Sequence, residues 1–290
     1  MLSIAIPSRN EIFLKKTIED VLQNATGEIE IFPILDGYEP PEEEIVHDPR
    51  VHYLRIPLGD GKCHKRQGIN MMVELCHGEY VMSLDAHCMV AKGFDEQLAK
   101  DHKPNWVQIP RRHRLDAENW CLQVQADSRP PIDYEYIPFD SLLKNDEGIH
   151  DFKWDKRSRD RADIPIDPTL TSQGSCWFMT KDWFNARRFM DVRYQGWGQE
   201  AEEINLETRK NGGEVMTNKN TWYAHLHKGP KYGRMYHMNK NDQRRSQIYA
   251  ADLWLNKNRD FFISLIERFM PIPGWPENWK EQIWYKDRKW

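Results

Sequence analysis

Asp85-Ala86-His87 directly follows a short apolar run, and its residue types suit a divalent cation. Residues two apart in an extended stretch project to one side, so a carboxylate oxygen and an imidazole nitrogen can address one point. Carboxylate alone suits Mg2+ or Mn2+, and the added imidazole shifts the preference toward first-row transition metals, Mn2+ among them. Positions left open on such an ion could hold a diphosphate. The plain structural alternative is an Asp cap beside a surface His, and the triplet alone does not separate the two. Lys62, Lys65 and Arg66 open a stretch with helical spacing, where amides and cationic side chains can face phosphate. Ordinary solvated helix charge has the same spelling.

These groups need a scaffold that delivers them to one edge. Residues 2–6 (LSIAI) read as a strand ended by Pro7, and a helix beginning at Ser8 to Asn10 would carry Ile12, Leu14, Ile18, Val21 and Leu22. Residues 29–35 read as a second strand, with Pro33 implying an edge or a bulge, and 51–55 as a third. A helix over 62–76 and a strand over 80–84 follow, then a strand at 105–109. Asp36, Asp85 and His87 all fall where strands end, and ligands of open α/β sheets bind outside the carboxyl ends of strands. From 111 to 170 the period is lost, and the stretch reads as an acceptor-side insertion and mobile loop that closes over the site. Regular structure resumes with a strand at 173–180, helices from Lys181 and from 199 to 210, a strand near 221–227 and a helical tail from 240.

The chain has 290 residues, 39% of them hydrophobic and 30% charged, which excludes disorder and leaves enough apolar material for a sizeable core. No apolar run reaches the roughly 18 to 20 residues of a bilayer span, and the first residues lack a basic region and cleavage site. Neither secretion nor a membrane span is expected. The five cysteines form no C-x-x-C pair, so a disulfide framework or zinc ribbon is not expected and a reducing cytoplasm is. A net charge of −4 gives no global pull on nucleic acid, although a local basic face stays open.

In order along the chain stand SIAIPSRNE (3–11), ILDGY (34–38), GKCHKRQGIN (61–70), SLDAHC (83–88), GSCWFMTKDWF (174–184), GWGQEAEEI (196–204) and HLHKG (225–229). This series resembles GT-A glycosyltransferases, in particular the family-two-like enzymes and the polypeptide N-acetylgalactosaminyltransferases, which carry D-x-H where most relatives have D-x-D. The resemblance covers residues 2 to about 230. It implies an α/β fold, a Rossmann-like mixed sheet flanked by helices over 1–230, with 231–290 as a Trp-rich helical extension. It also implies a metal-dependent transferase that uses a nucleotide-diphosphate sugar, with a UDP-sugar as the leading donor and Mn2+ as the metal, Mg2+ or another divalent ion being compatible.

By that resemblance Pro7, Arg9 and Glu11 line the nucleotide pocket, Asp36 contacts base or ribose, and Lys62, Lys65, Arg66 and Asp85 face the donor. Helix-start electrostatics would equally account for Arg9 and Glu11, and a plain turn for Asp36-Gly37. His225 matches the late His that completes the metal set with Asp85 and His87. A lone strand His is otherwise a core residue, and a zinc site is compatible with the same residue types. Trp197 can pack on a sugar face and Glu200 can accept from a donor or acceptor hydroxyl, whereas a first turn rich in Glu200, Glu202 and Glu203 needs no catalysis to explain it. Many inverting relatives have an Asp base after that glutamate; here position 201 is Ala. An inverting reaction would therefore use Glu200 or Glu202 as base, and a retaining one needs no separate base.

Basic and aromatic residues interleave at 106–120 (Trp106, Arg111, Arg112, His113, Arg114, Trp120), 153–161 and 222–245 (Lys228, Lys231, Tyr232, Arg234, Tyr236, Lys240, Arg244, Arg245). Such mixtures suit nucleic acid, for example a hydroxymethylated DNA base, and equally suit anionic glycans or a plain solvated face. Two other classes compete. A carbohydrate-binding module is suggested by 12 Trp and 11 Tyr, although Trp275, Trp279, Trp284 and Trp290 read as clamps for the tail. A nucleotidyltransferase would use the same α/β surface on a nucleoside triphosphate.

Overall fold

A computed structural model describes residues 1–56, 62–123, 130–143, 149–233 and 238–283. The first half alternates strand and helix: β1 (Leu2–Ser8), α1 (Leu14–Asn24), β2 (Ile29–Asp36), β3 (Leu54–Ile56), α2 (Lys65–Leu75), β4 (Tyr80–Leu84), β5 (Cys88–Val90) and α3 (Phe94–Lys100). The middle carries β6 (Trp106–Asp116), β7 (Cys121–Leu122), β8 (Glu135–Tyr136), α4 (Phe139–Leu143), β9 (Phe152–Lys153), α5 (Asp155–Asp160) and β10 (Ile166–Pro168). Then come β11 (Cys176–Thr180), α6 (Lys181–Arg187), α7 (Glu200–Lys210), β12 (Glu214–His225), α8 (Gly229–Tyr232), α9 (Lys240–Ala251), a π-helical turn at Asp252–Lys257, α10 (Arg259–Phe269) and α11 (Trp279–Ile283).

One mixed sheet runs β10-β12-β6-β11-β4-β1-β2-β3, as the α/β reading expects. Successive residues of β1 point to opposite faces: Ile4 and Ile6 join α1 and α3 in one buried layer, and Ala5 joins Ile69 and Met72 of α2 in the other. α2 packs closely enough that a Cβ on Gly68 would stand 2.4 Å from Ile34 Cγ2, so glycine is what lets this helix approach the sheet. From β1 the chain moves outward to β2 and β3, then returns to the other flank of β1 as β4. That reversal opens a crevice at the carboxyl ends of β1 and β4.

Several boundaries differ from the sequence reading. β1 continues through Pro7 to Ser8, because β4 pairs only with Leu2 to Ala5 and the proline lies beyond that ladder. α1 begins at Leu14, after Asn10 takes a left-handed conformation (φ 52°) that turns the chain. Pro33 sits inside the sheet rather than at its edge. It falls between the Ile31–Val51 bridge and the first β2–β3 pair at Ile34, where no donor is needed. β6 runs on to Asp116 past Pro110, beside an irregularity in β12 between Asn218 and Trp222. The same irregularity hides the first half of β12 from a period-two reading.

The stretch 111–170 is not mainly loop within the described residues. Tyr134, Ile137, Phe139, Leu142, Ile149, Trp154 and Leu170 are buried in one core with Trp254, Phe262, Leu265, Ile266 and Phe269 of the tail. Trp275 and Trp279 belong to this packing, and Trp275 Nε1 donates to Ile137 O at 2.7 Å; Trp284 and Trp290 lie outside the described residues. Each segment alone shows weak period because each supplies only part of a shared core. No helix among the described residues is long and apolar enough to cross a membrane.

Candidate active site

A cavity of about 560 Å3 opens at the switch between β1 and β4. β4 ends at Leu84, and the turn Asp85 to His87 leads into β5, which pairs antiparallel with β12 so that Cys88 faces His225. Leu226 N–H donates to His87 O at 3.1 Å and locks that register. Two imidazoles 138 residues apart are thereby brought to a ring separation of 4.8 Å.

His225 Nε2 lies 3.1 Å from His87 Nε2 and 3.4 Å from Asp85 Oδ2. The three groups offer ligand atoms all within 4.8 Å of one another. Two ligand atoms each about 2.1 Å from a shared ion stand about 3.0 to 3.4 Å apart, depending on the angle between them. The observed spacings fit that range. Asp85 Oδ1 is 3.3 Å from Lys65 Nζ, which leaves Oδ2 on the imidazole side. Burial would raise the Asp85 pKa, but Lys65 and the two imidazoles hold it far below the usual carboxylate range. Burial pushes His225 down to about 4, so its ring is neutral at physiological pH, the form a ligand requires.

Pro7, Arg9, Glu11 and Asp36 all line the cavity. Asp36 Oδ2 accepts from the His64 amide at 2.9 Å, its Oδ1 lies 2.9 Å from His64 Nδ1, and Arg9 pairs with it at 3.5 Å. Ser8 and Tyr38 are hydrogen-bonded beside them, and burial raises the Tyr38 phenol to about 12. Lys65 reaches inward from the first turn of α2, 3.4 Å from Gly174 O. The structure turns the other two cations of that group elsewhere. Lys62 is exposed outside the lining, and its carbonyl accepts from Arg9. Arg66 is buried, pairs with Glu203, donates to Gly198 O at 3.3 Å and stacks on Tyr194 at 4.6 Å. The spacing that made all three look phosphate-facing does not say which helix face meets α7. Gly61 lies outside the described residues.

The Gly196 to Gln199 turn holds positive φ at Gly196, Gly198 and Gln199 and passes against α9, where a Cβ on Gly196 would meet Asp242 at 3.1 Å. It sets Trp197, 37% exposed, at the rim and Glu200 and Glu202 in the lining. Glu200 Oε1 is buried without a hydrogen-bond partner, poised to accept from a hydroxyl. Glu202 is raised to about 8 by burial and by the charges of Glu200 and Glu135. That shift favours the protonated form relative to an ordinary glutamate. Sequence reasoning missed His150, Asp151 and Gln173 in the lining, since nothing in their spacing marks them.

Several cations of the basic stretches are paired within the chain, some buried and some at the surface. Arg111 pairs with Asp133, Arg112 with Glu135, Arg161 with Asp167 and Lys231 with Glu118. Lys240, Arg244 and Arg245 are exposed on α9, Arg245 pairing with Asp242 at 3.5 Å, and Gln243 and Gln247 of the same helix line the cavity. Arg234 and Tyr236 lie outside the described residues.

The family model of glycosyl transferase family 2 matches residues 3–184. The Drosophila melanogaster protein named "Putative polypeptide N-acetylgalactosaminyltransferase 13" is 23% identical over 216 residues, covering 70% of this chain and 36% of that protein. Among solved structures, that of GalNAc-T7 with UDP, GalNAc and Mn2+ superposes with a TM-score of 0.67 at 15% identity, over 98% of this chain and 54% of the other. S. aureus TarS 1-349 with UDP-GlcNAc gives 0.56 at 9% identity, over 92% and 72%. The chain thus spans about a third of the curated relative and about half of the first of these structures.

Proposed function

The chain belongs to glycosyl transferase family 2, and from that premise we propose that it transfers a sugar from a UDP-sugar to a hydroxyl acceptor with a divalent metal, Mn2+ being the leading candidate. The observation that carries the reading is the convergence of Asp85, His87 and His225 beside Lys65 at the end of the cavity that Arg9 and Asp36 also line. The neighbour's UDP and Mn2+ and the second neighbour's UDP-GlcNAc support the donor class.

Bound at the triad, the metal would act as a Lewis acid on the departing diphosphate. Arg9, Asp36 and the Ser8–Tyr38 pair would hold the nucleoside end, and Lys65 would counter diphosphate charge. Trp197 would cover a sugar face and Glu200 would accept from a sugar hydroxyl. The bond from the anomeric carbon to the phosphate oxygen breaks, and one to the acceptor oxygen forms. With Ala201 in place of a base and the Glu202 pKa raised by burial, the reaction is read as retaining, the acceptor proton leaving with a phosphate oxygen.

Glu202→Gln should therefore keep its rate within about threefold at pH 7, where a general base would contribute 10²–10⁴-fold. Above pH 8 the wild-type side chain ionises and the variant does not, so the two pH profiles should separate there. A hundredfold loss at pH 7 would make Glu202 the base and the reaction inverting.

The acceptor belongs to the same proposal: a glycan hydroxyl is the first reading. Exposed Lys240 and Arg244, on the helix whose Gln243 and Gln247 line the cavity, support hydroxymethylated DNA as a second. Mixing the protein with Mn2+ and a panel of nucleotide sugars, with an EDTA control, tests the function. Metal-dependent release of one nucleotide supports it, and no binding of any donor would favour a carbohydrate-binding module. Steep salt-dependent binding to duplex DNA would select the second acceptor; none at low salt would remove it.

A further inference from the structure

Glu11 sits in the turn between β1 and α1, where a helix-start carboxylate is unremarkable. One of its oxygens behaves that way: Oε1 is 3.4 Å from the Phe13 amide. The other does not. Oε2 lies 3.1 Å from His87 Nδ1 and also accepts from Lys228 Nζ, which stands just past the end of β12. The Glu11 side chain is 5% exposed. Oε2 already accepts from Lys228, so in its contact with His87 it is Nδ1 that donates. In the neutral ring that a ligand requires, Nε2 is then the lone pair, and it is Nε2 that faces His225 and Asp85. In the opposite tautomer a hydrogen on Nε2 would occupy the point where the three groups converge.

We propose that Glu11 is a positioning residue with two roles: it sets the His87 tautomer that offers Nε2 to the metal, and it holds Lys228 over the diphosphate end of the cavity. This rests on the metal-dependent transferase reading above. The two roles share one oxygen, so the β1–α1 turn and the segment after β12 are tied together at the site before any donor arrives. A carboxylate behind a ligating imidazole fixes ring orientation and raises its basicity, and loss of such partners typically weakens metal binding about 10–100-fold.

The test uses the full chain without donor. Calorimetric titration with Mn2+ should show Glu11→Ala weakened about 10–100-fold, and Glu11→Gln weakened less. Lys228→Met should keep metal affinity at or above wild type, yet bind UDP in the presence of Mn2+ at least about tenfold more weakly, as loss of a charge-assisted contact implies. Nitrogen chemical shifts of His87 in the metal-free wild type should report hydrogen on Nδ1, and a mixture in Glu11→Ala. Hydrogen on Nε2 in the wild type, or unchanged Mn2+ affinity in both Glu11 variants, overturns the first role. Unchanged UDP affinity in Lys228→Met overturns the second. Glu11→Gln keeps volume and an acceptor oxygen, so it decides the matter if the alanine variant does not fold. A wild-type chain that binds no Mn2+ would sink the transferase reading, while the tautomer measurement still decides the Glu11 contact.

Discussion

His87→Ala is expected to lower metal-dependent transfer by at least about a thousandfold, equivalent to about 4 kcal/mol of transition-state stabilisation. The substitution leaves Asp85 and His225 as a two-ligand set and opens the face on which the diphosphate would sit. Its structural cost should be small. His87 lies in a turn, partly exposed, and the register of β5 on β12 is held by backbone pairs at Cys88, Met89 and Val90 that the side chain does not make. The melting temperature should therefore stay within about 4 °C of wild type, the shift expected for a loss near 1 kcal/mol. Rates with Mn2+ and the preferred donor, alongside a thermal scan, check both halves. Unchanged transfer would remove the metal from the mechanism.

Arg66→Ala should act on stability instead. Its side chain is 2% exposed and that of Glu203 6%, and the two are paired. Burial raises the Glu203 pKa while Arg66 opposes that rise. Removing the cation leaves a buried carboxyl facing a void, a change that typically costs about 3–5 kcal/mol, against total stabilities of about 5–15 kcal/mol. Urea denaturation measures it. Arg66→Met combined with Glu203→Leu should recover part of the loss, since a well-packed apolar pair can replace a buried ion pair. A variant with weakened donor binding and unchanged stability would return Arg66 to the phosphate role that its position at the start of α2 suggested.

That contrast shows where sequence reading stops. Strands ending at Asp36 and Asp85 were visible, because apolar runs bounded by turn residues report local conformation directly. So were α6 and α7, whose spacing and boundaries survive in the fold. Lys62, Lys65 and Arg66 fall on one short stretch, and only the packing of α2 against β2 and α7 distributes them: one outward, one into the cavity, one into the interior. The stretch 111–170 read as loop because its buried residues complete a core whose other half comes from the tail.

By itself the sequence determined the α/β alternation, the acidic strand ends and the Asp85–His87 pair, all of which follow from periodicities of two and 3.6 residues that act over short range. The tertiary structure decided which distant groups complete the site. His225 joins Asp85 and His87 through the antiparallel register of β5 on β12, Glu11 and Lys228 meet behind His87, and the Glu202 pKa is raised by burial against other segments, with Glu135 of β8 adding to its helix neighbour Glu200. Each of these depends on long-range packing, and local periodicity carries no term for it.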